Sequence, residues 1–161
     1  MSRNKHVVII GLMGSGKTTV GSLVAASLGR PMTDSDGYLS EHYGLTAAQI
    51  AVADGPAVLH AREAEHLLTA LHGPPSVIAA ASSTVQNPQV RTALRQAFVV
   101  WLDTSDAVLT QRMRSADHRP PFPPAVMRAR REPYFREVAD LRLDVTSATP
   151  QESATTICEA L

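Results

Sequence analysis

The run Gly11-Leu12-Met13-Gly14-Ser15-Gly16-Lys17-Thr18 constrains this chain more than any other stretch, because it fits G-x-x-x-x-G-K-[ST]. Its flanks fit as well: Val7-Val8-Ile9-Ile10 reads as a buried strand, and Thr18–Leu28 as a helix. A strand, a glycine turn and a helix in that order aim successive backbone N–H groups at one point, at the positive end of a helix dipole. Anionic phosphate is the ligand such a point favours. Lys17 would reach the β- and γ-phosphates, and the Thr18 hydroxyl would ligate Mg²⁺. A glycine-rich turn with no ligand is the plain alternative, and the context argues against it. The chain is read as binding a nucleoside triphosphate.

Bulk properties narrow the setting. A chain of 161 residues suits one domain, 1–161, and can bury roughly 70% of its unfolded surface. Lys+Arg 15 and Asp+Glu 15 cancel, so no charge excess favours nucleic acid or an anionic membrane surface. No apolar run approaches the ~20 residues of a membrane span. The lone cysteine, Cys158, excludes an internal disulfide and fits a reducing compartment, with a small apolar filler as its simplest role. A cytoplasmic monomer is the expectation.

Short apolar runs alternate with helical periodicity. Strands are expected at Val7–Ile10, Pro31–Thr33, Ser76–Ala81, Phe98–Leu102 and Leu141–Val145. Helices are expected at Thr18–Leu28, Leu45–Asp54, Ala57–Leu71, Pro88–Gln96, Asp106–Arg114, Met127–Ala139 and Pro150–Leu161. Continuous apolar strands of this kind predict an α/β fold with a five-stranded parallel sheet covered by helices on both faces. Asp34 and Asp36 then fall at the C-terminal end of the second strand, the edge where open α/β sheets bind ligands. Helix capping is the other use of Asp at such a turn. The proline-rich stretch Ser115–Pro124 breaks all periodicity and reads as a surface loop, the core of a lid at about 113–126.

Together, the loop, the Asp34-Ser35-Asp36 pair and Arg119-Pro120 resemble shikimate kinase, a small-metabolite member of the nucleoside-monophosphate-kinase-like P-loop fold. The resemblance runs through Asp54-Gly55, Leu59-His60 with Glu63, Ala81-Ser82-Ser83 and Arg131-Glu132-Pro133. It implies a three-layer P-loop kinase fold and transfer of the ATP γ-phosphate to a hydroxyl of a small polar metabolite. It implies a nucleotide set of Gly11, Met13, Gly14, Ser15, Gly16, Lys17, Thr18 and Thr19, with Arg112 flanking adenine. Lys17 and Arg119 would offset charge on the transferred group, Asp36 would act as base, and Thr18 and Asp34 would serve Mg²⁺. Asp36, His60, Ser82, Ser83 and Arg131 would face the acceptor.

The acceptor half departs from the family pattern. His60 stands where the family has a carboxylate-binding arginine, and Ala81-Ser82-Ser83 replaces a three-glycine turn. A neutral imidazole cannot supply a guanidinium's bidentate fork. Arg62 is no substitute, since it points about 200° further round the helix at about 100° per residue. Serine side chains would crowd a turn where backbone approaches substrate, or would bind substrate or cap a helix themselves. His60 could touch the acceptor or simply fill space, Arg131 could lie on a solvated face, and Arg112 could be merely solvated. The stretch after Arg119 is shorter than the family's. Two other readings stay open: a gluconate-type or other carbohydrate kinase, and an ATP-binding regulatory module with little catalysis. The remaining histidines, His42, His66 and His72 among them, lack metal-ligand spacing, and zinc is not expected.

Overall fold

The computed structural model describes residues 4–114 and 123–161. Five parallel strands form one sheet in the order β2-β3-β1-β4-β5: β1 Val7–Ile10, β2 Met32–Asp34, β3 Val77–Ala79, β4 Phe98–Asp103 and β5 Leu141–Asp144. β1 lies between β3 and β4, pairing Val8 with Ile78 and with Val99. Every residue of β1 is fully buried.

Strand alternation divides the core in two. Val8 and Ile10 point to the face that also holds Ile78, Val99 and Trp101, where Leu67, Val90 and Phe135 close the layer. Val7 and Ile9 point to the other face, with Val100 and Leu102, against Val20, Val24, Ala154 and Ile157. The first layer draws on helices α4 Pro56–His72, α5 Pro88–Ala93 and α7 Pro124–Val138. The second draws on α1 Lys17–Leu28 and α8 Pro150–Ala160, which pack on each other. Gly21 brings α1 close to the sheet: a Cβ there would lie 3.2 Å from Met32 Cε and 3.5 Å from Ile9 Cδ1. The three-layer α/β architecture expected from the apolar runs is the one observed.

Local signals set the helix starts. Thr46 and Gln49 form a capping box on α3, Ala47–Asp54, and Thr149 and Glu152 do so on α8. Helix α6, Asp106–Arg114, has the expected bounds. Helix α7 opens earlier than expected, at Pro124, a residue type suited to a first helical turn. Of the expected lid, 113–114 therefore close α6 and 124–126 open α7. Arg119 and Pro120 lie outside the described residues.

Two features were not expected from periodicity. Helix α2, Ser35–Tyr43, follows β2 directly and buries only Ser35 and Leu39, too few to leave an apolar stripe. Hydrogen bonds hold it instead: Asp34 Oδ1 accepts from the Gly37 N–H at 2.7 Å, and Tyr38 and Tyr43 both donate to Glu65. The third strand is also shorter than Ser76–Ala81, because Ser82–Gln86 coils into a 3₁₀ turn. Both the amide and the hydroxyl of Thr84 bond to the Ala81 carbonyl, at 3.1 and 2.7 Å.

His66 on α4 is 1% exposed and pairs through Nε2 with the Thr33 hydroxyl at 3.0 Å. Burial holds its pKa down at about 4, against an ordinary 6.5. A proton on this ring therefore favours the unfolded chain. The stabilisation is complete above pH 6.5 and is lost as pH falls toward 4. Across that interval the wild type should lose up to about 3 kcal/mol of unfolding free energy through this residue. Urea unfolding of wild type and His66→Gln as a function of pH measures it: the glutamine variant should show a flatter acid slope.

Candidate functional site

Glycine at position 11 is a steric requirement. A Cβ there would sit 2.6 Å from the Leu102 carbonyl oxygen and 2.8 Å from Ser15 Oγ, and φ is +151°. The chain thus leaves β1 pressed against the end of β4 and turns within its first residues, where the Ser15 amide donates to Leu12 O at 3.1 Å. Gly16 caps α1 with φ +97° and contributes no side-chain bond to the helix start. The first N–H groups of a 12-residue helix accordingly face the loop. Ser15 is 3% exposed, and its Oγ has no partner among the described residues. A buried hydroxyl without a partner, packed against the Gly11 turn, fits a loop shaped for an incoming anion.

Around this loop the structure gathers the expected donor-side residues. The Lys17 ammonium donates to the carbonyls of Gly11 at 2.9 Å and Leu12 at 3.2 Å, so it lies across the loop. Met13 and Gly14 are half-buried, and Thr18 and Thr19 are exposed on the first turn of α1. Arg112, on α6, donates through Nη1 to the Gly14 carbonyl at 2.6 Å. That bond makes it a loop neighbour, whereas a merely solvated arginine would have no fixed partner.

On the same edge, β2 ends at Asp34, where its carboxylate does what the plainer reading anticipated: it caps α2 through Oδ1. Its second oxygen takes no part in that cap. Asp36 is exposed on the first turn of α2.

A second cluster forms where α4, α7 and the 3₁₀ turn meet. Arg131 is 8% exposed, far from the solvated helix face that its charged neighbours suggested. It donates from Nη1 to Ser82 Oγ at 2.6 Å and from Nε to Gln86 Oε1 at 3.0 Å. Ser83 donates to Glu63 Oε1 at 2.9 Å. Both serines are buried, so neither hydroxyl stands free in the turn. Glu63 and His60 are one turn apart on α4 and face the same side. Arg62 does turn away: its guanidinium stacks 4.1 Å over the Tyr43 ring and reaches Asp54 at 3.5 Å.

Electrostatics tie the two clusters together. Burial pushes the Glu63 carboxyl above its ordinary pKa, while Arg131 and Lys17 oppose that shift and Asp36 adds to it. Glu63 is therefore within electrostatic reach of α1, α2 and α7 at once. Partial desolvation and then the Arg131 charge hold the His60 imidazole below 6.5, so it is neutral at pH 7. Glu63 and Gln86 join the cluster without having been chosen from the sequence as site residues. Glu63 was already among the residues that carry the resemblance, without a role assigned to it; nothing marked Gln86.

A further ionic hub lies on α7 one turn before Arg131. Arg128 bonds Asp103 and Asp106 at 2.9 Å each, Glu132 at 3.4 Å and the Thr104 carbonyl at 2.5 Å. It joins α7 to the end of β4 and the start of α6. Away from these clusters, a recess of about 530 Å³ between α2 and α4 is lined by Thr33, Tyr38, His42 and His66, and shares only Asp34 with the expected site.

Comparison with known proteins agrees with this arrangement. The family model for shikimate kinase matches residues 13–161. A shikimate kinase of Symbiobacterium thermophilum is 37% identical over 166 residues, covering 97% of this chain and 95% of that enzyme. A solved shikimate kinase from Acinetobacter baumannii, in complex with shikimate, superposes with a TM-score of 0.92 at 26% identity, covering 99% of this chain and 93% of that one. A gluconokinase from Sinorhizobium meliloti reaches a TM-score of 0.56 at 20% identity, over 99% of this chain and 95% of that one, a likeness of fold alone. The gluconate-type and regulatory-module readings are not favoured. From the glycine loop to the last helix, this chain belongs to the shikimate kinase family, ATP-dependent kinases that phosphorylate a small-molecule hydroxyl.

Proposed function

We propose that the enzyme transfers the γ-phosphoryl group of ATP to a hydroxyl of shikimate, and that Arg131 receives the acceptor's carboxylate. One observation carries the acceptor assignment. Arg131 is buried, yet among the described residues it is bonded only to the neutral groups Ser82 and Gln86. A guanidinium removed from water without an anionic hydrogen-bond partner is costly, and a bound carboxylate offsets that cost. His60, neutral beside it, adds no second positive charge, and contacts the acceptor as a polar neighbour.

On the donor side, the loop amides from Gly11 to Thr19 and the Lys17 ammonium hold the β- and γ-phosphates, and Arg112 flanks the adenine. Phosphoryl transfer depends mainly on positioning and on offsetting charge that spreads over the transferred oxygens. Lys17 supplies part of that, with Arg119 as its expected partner from the segment between α6 and α7. The Thr18 hydroxyl, and the Asp34 oxygen left over from the α2 cap through water, would hold Mg²⁺. When bound, the ion offsets phosphate charge and orients the nucleotide. Asp36 accepts the proton of the attacking hydroxyl. The single cysteine is consistent with the reducing cytoplasm as the place of action.

A coupled assay of ATP consumption with and without shikimate tests the whole reading. Nucleotide binding without acceptor-stimulated turnover would return the regulatory-module interpretation. Lys17→Ala should lower kcat by about 100- to 1,000-fold, the usual loss for one electrostatic contact to a transition state. Asp36→Asn should cost on the order of 100-fold in kcat with ATP affinity preserved. Full activity in that variant would show that the proton leaves by another route.

A further inference from the structure

The 3₁₀ turn Ser82–Gln86 presents three polar side chains in a fixed order to two charged groups. Ser82 and Gln86 accept from Arg131, and Ser83 donates to Glu63. The turn is itself immobilised, since Thr84 closes on the Ala81 carbonyl through both amide and hydroxyl. Residues Ser82 to Val85 are all buried. Hydroxyls here therefore perform work that a glycine turn cannot: they set the direction of one guanidinium and one carboxylate.

The direction matters for Arg131. A guanidinium offers a carboxylate either the side face made by Nε with a terminal nitrogen, or the end face made by its two terminal nitrogens. Gln86 occupies Nε, which removes the side face. Ser82 takes one N–H of Nη1 at 2.6 Å, and Nη2 has no partner among the described residues. With Nε and one N–H of Nη1 engaged, the Arg131 fork is held in one orientation, and Nη2 is the nitrogen left for an incoming carboxylate. On Glu63, Ser83 occupies Oε1 and leaves Oε2 available. Without Ser83, the carboxylate would be free to swing toward the Arg131 charge that already perturbs it.

We propose that Ser82 and Ser83 are positioning residues that set acceptor affinity and carboxylate specificity, by keeping Arg131 aimed at the acceptor and Glu63 apart from it. The inference rests on the reading of Arg131 as the acceptor's anchor. It departs from the expectation that these serines would crowd the turn or touch the substrate themselves.

The test compares steady-state kinetics of Ser82→Ala, Ser83→Ala and Arg131→Ala with shikimate and with its methyl ester, at saturating ATP. Losing a hydrogen bond to a charged group should raise the KM for shikimate about 10-fold in Ser82→Ala and in Ser83→Ala. The KM for ATP should hold within about 2-fold, and kcat should fall far less than KM rises. Because the ester lacks the charge Arg131 reads, its KM should not change in Ser82→Ala, so the preference for acid over ester should shrink. An unchanged shikimate KM in both serine variants, with Arg131→Ala strongly impaired, would overturn the inference and leave the acceptor assignment standing. An unchanged KM in Arg131→Ala would instead remove the anchor on which it rests. Equal losses for acid and ester, with a lowered melting temperature, would reduce the serines to packing and also overturn it.

Discussion

The close passage of Gly11 beneath the Leu102 carbonyl is the contact on which the rest of the structure depends. β1 is the central strand, and its last residue hands the chain to a loop with no room for a methyl group. Because that passage is tight, the loop turns immediately and α1 starts beside the sheet edge. Lys17, in the first turn, is held across the loop that precedes it. The ends of β2 and β3 reach the same edge through their pairing, Asp34 opposite Ala79 and Ala79 opposite Ile9. One steric restriction therefore aligns the nucleotide loop, the Asp34–Asp36 turn and the Ser82–Gln86 turn.

Much of this was legible in the residues. β1, the loop and α6 appear with the bounds their periodicity gave, and the helical angle placed Arg62 correctly away from His60. What escaped was structure built from specific hydrogen bonds. Helix α2 carries no apolar stripe, and its stability comes from Asp34 at one end and from Glu65, on a different helix, through two tyrosines. The early end of β3 escaped because Ala80-Ala81 extends the apolar run, while the bond that ends it lies at Thr84. The bonding of Arg131 to the Ser82–Gln86 turn was not legible at all. Ser82 and Arg131 stand 49 residues apart, and nothing local says that one hydroxyl meets that guanidinium.

The cluster of His60, Glu63 and Arg131 concentrates its positive charge in one group. With His60 neutral at pH 7, Arg131 and then Lys17 are the cations that Glu63 senses. Burial disfavours the charge on Arg131 and on Glu63 alike. Neither meets the other in a hydrogen-bonded ion pair, so each keeps capacity for a ligand. Neutral groups, two hydroxyls and one amide, hold both in place at a distance. The buried guanidinium is thus held by neutral supports alone among the described residues.

Arg128 gives α7 a root of its own. By joining Asp103, Asp106 and the Thr104 carbonyl, it ties the helix to the end of β4 and to the start of α6. Arg131 is carried on the next turn of the same helix, so its position is inherited from the sheet. A shift of the sheet edge at Asp103 or Thr104 is therefore carried to Arg131 through the helix itself.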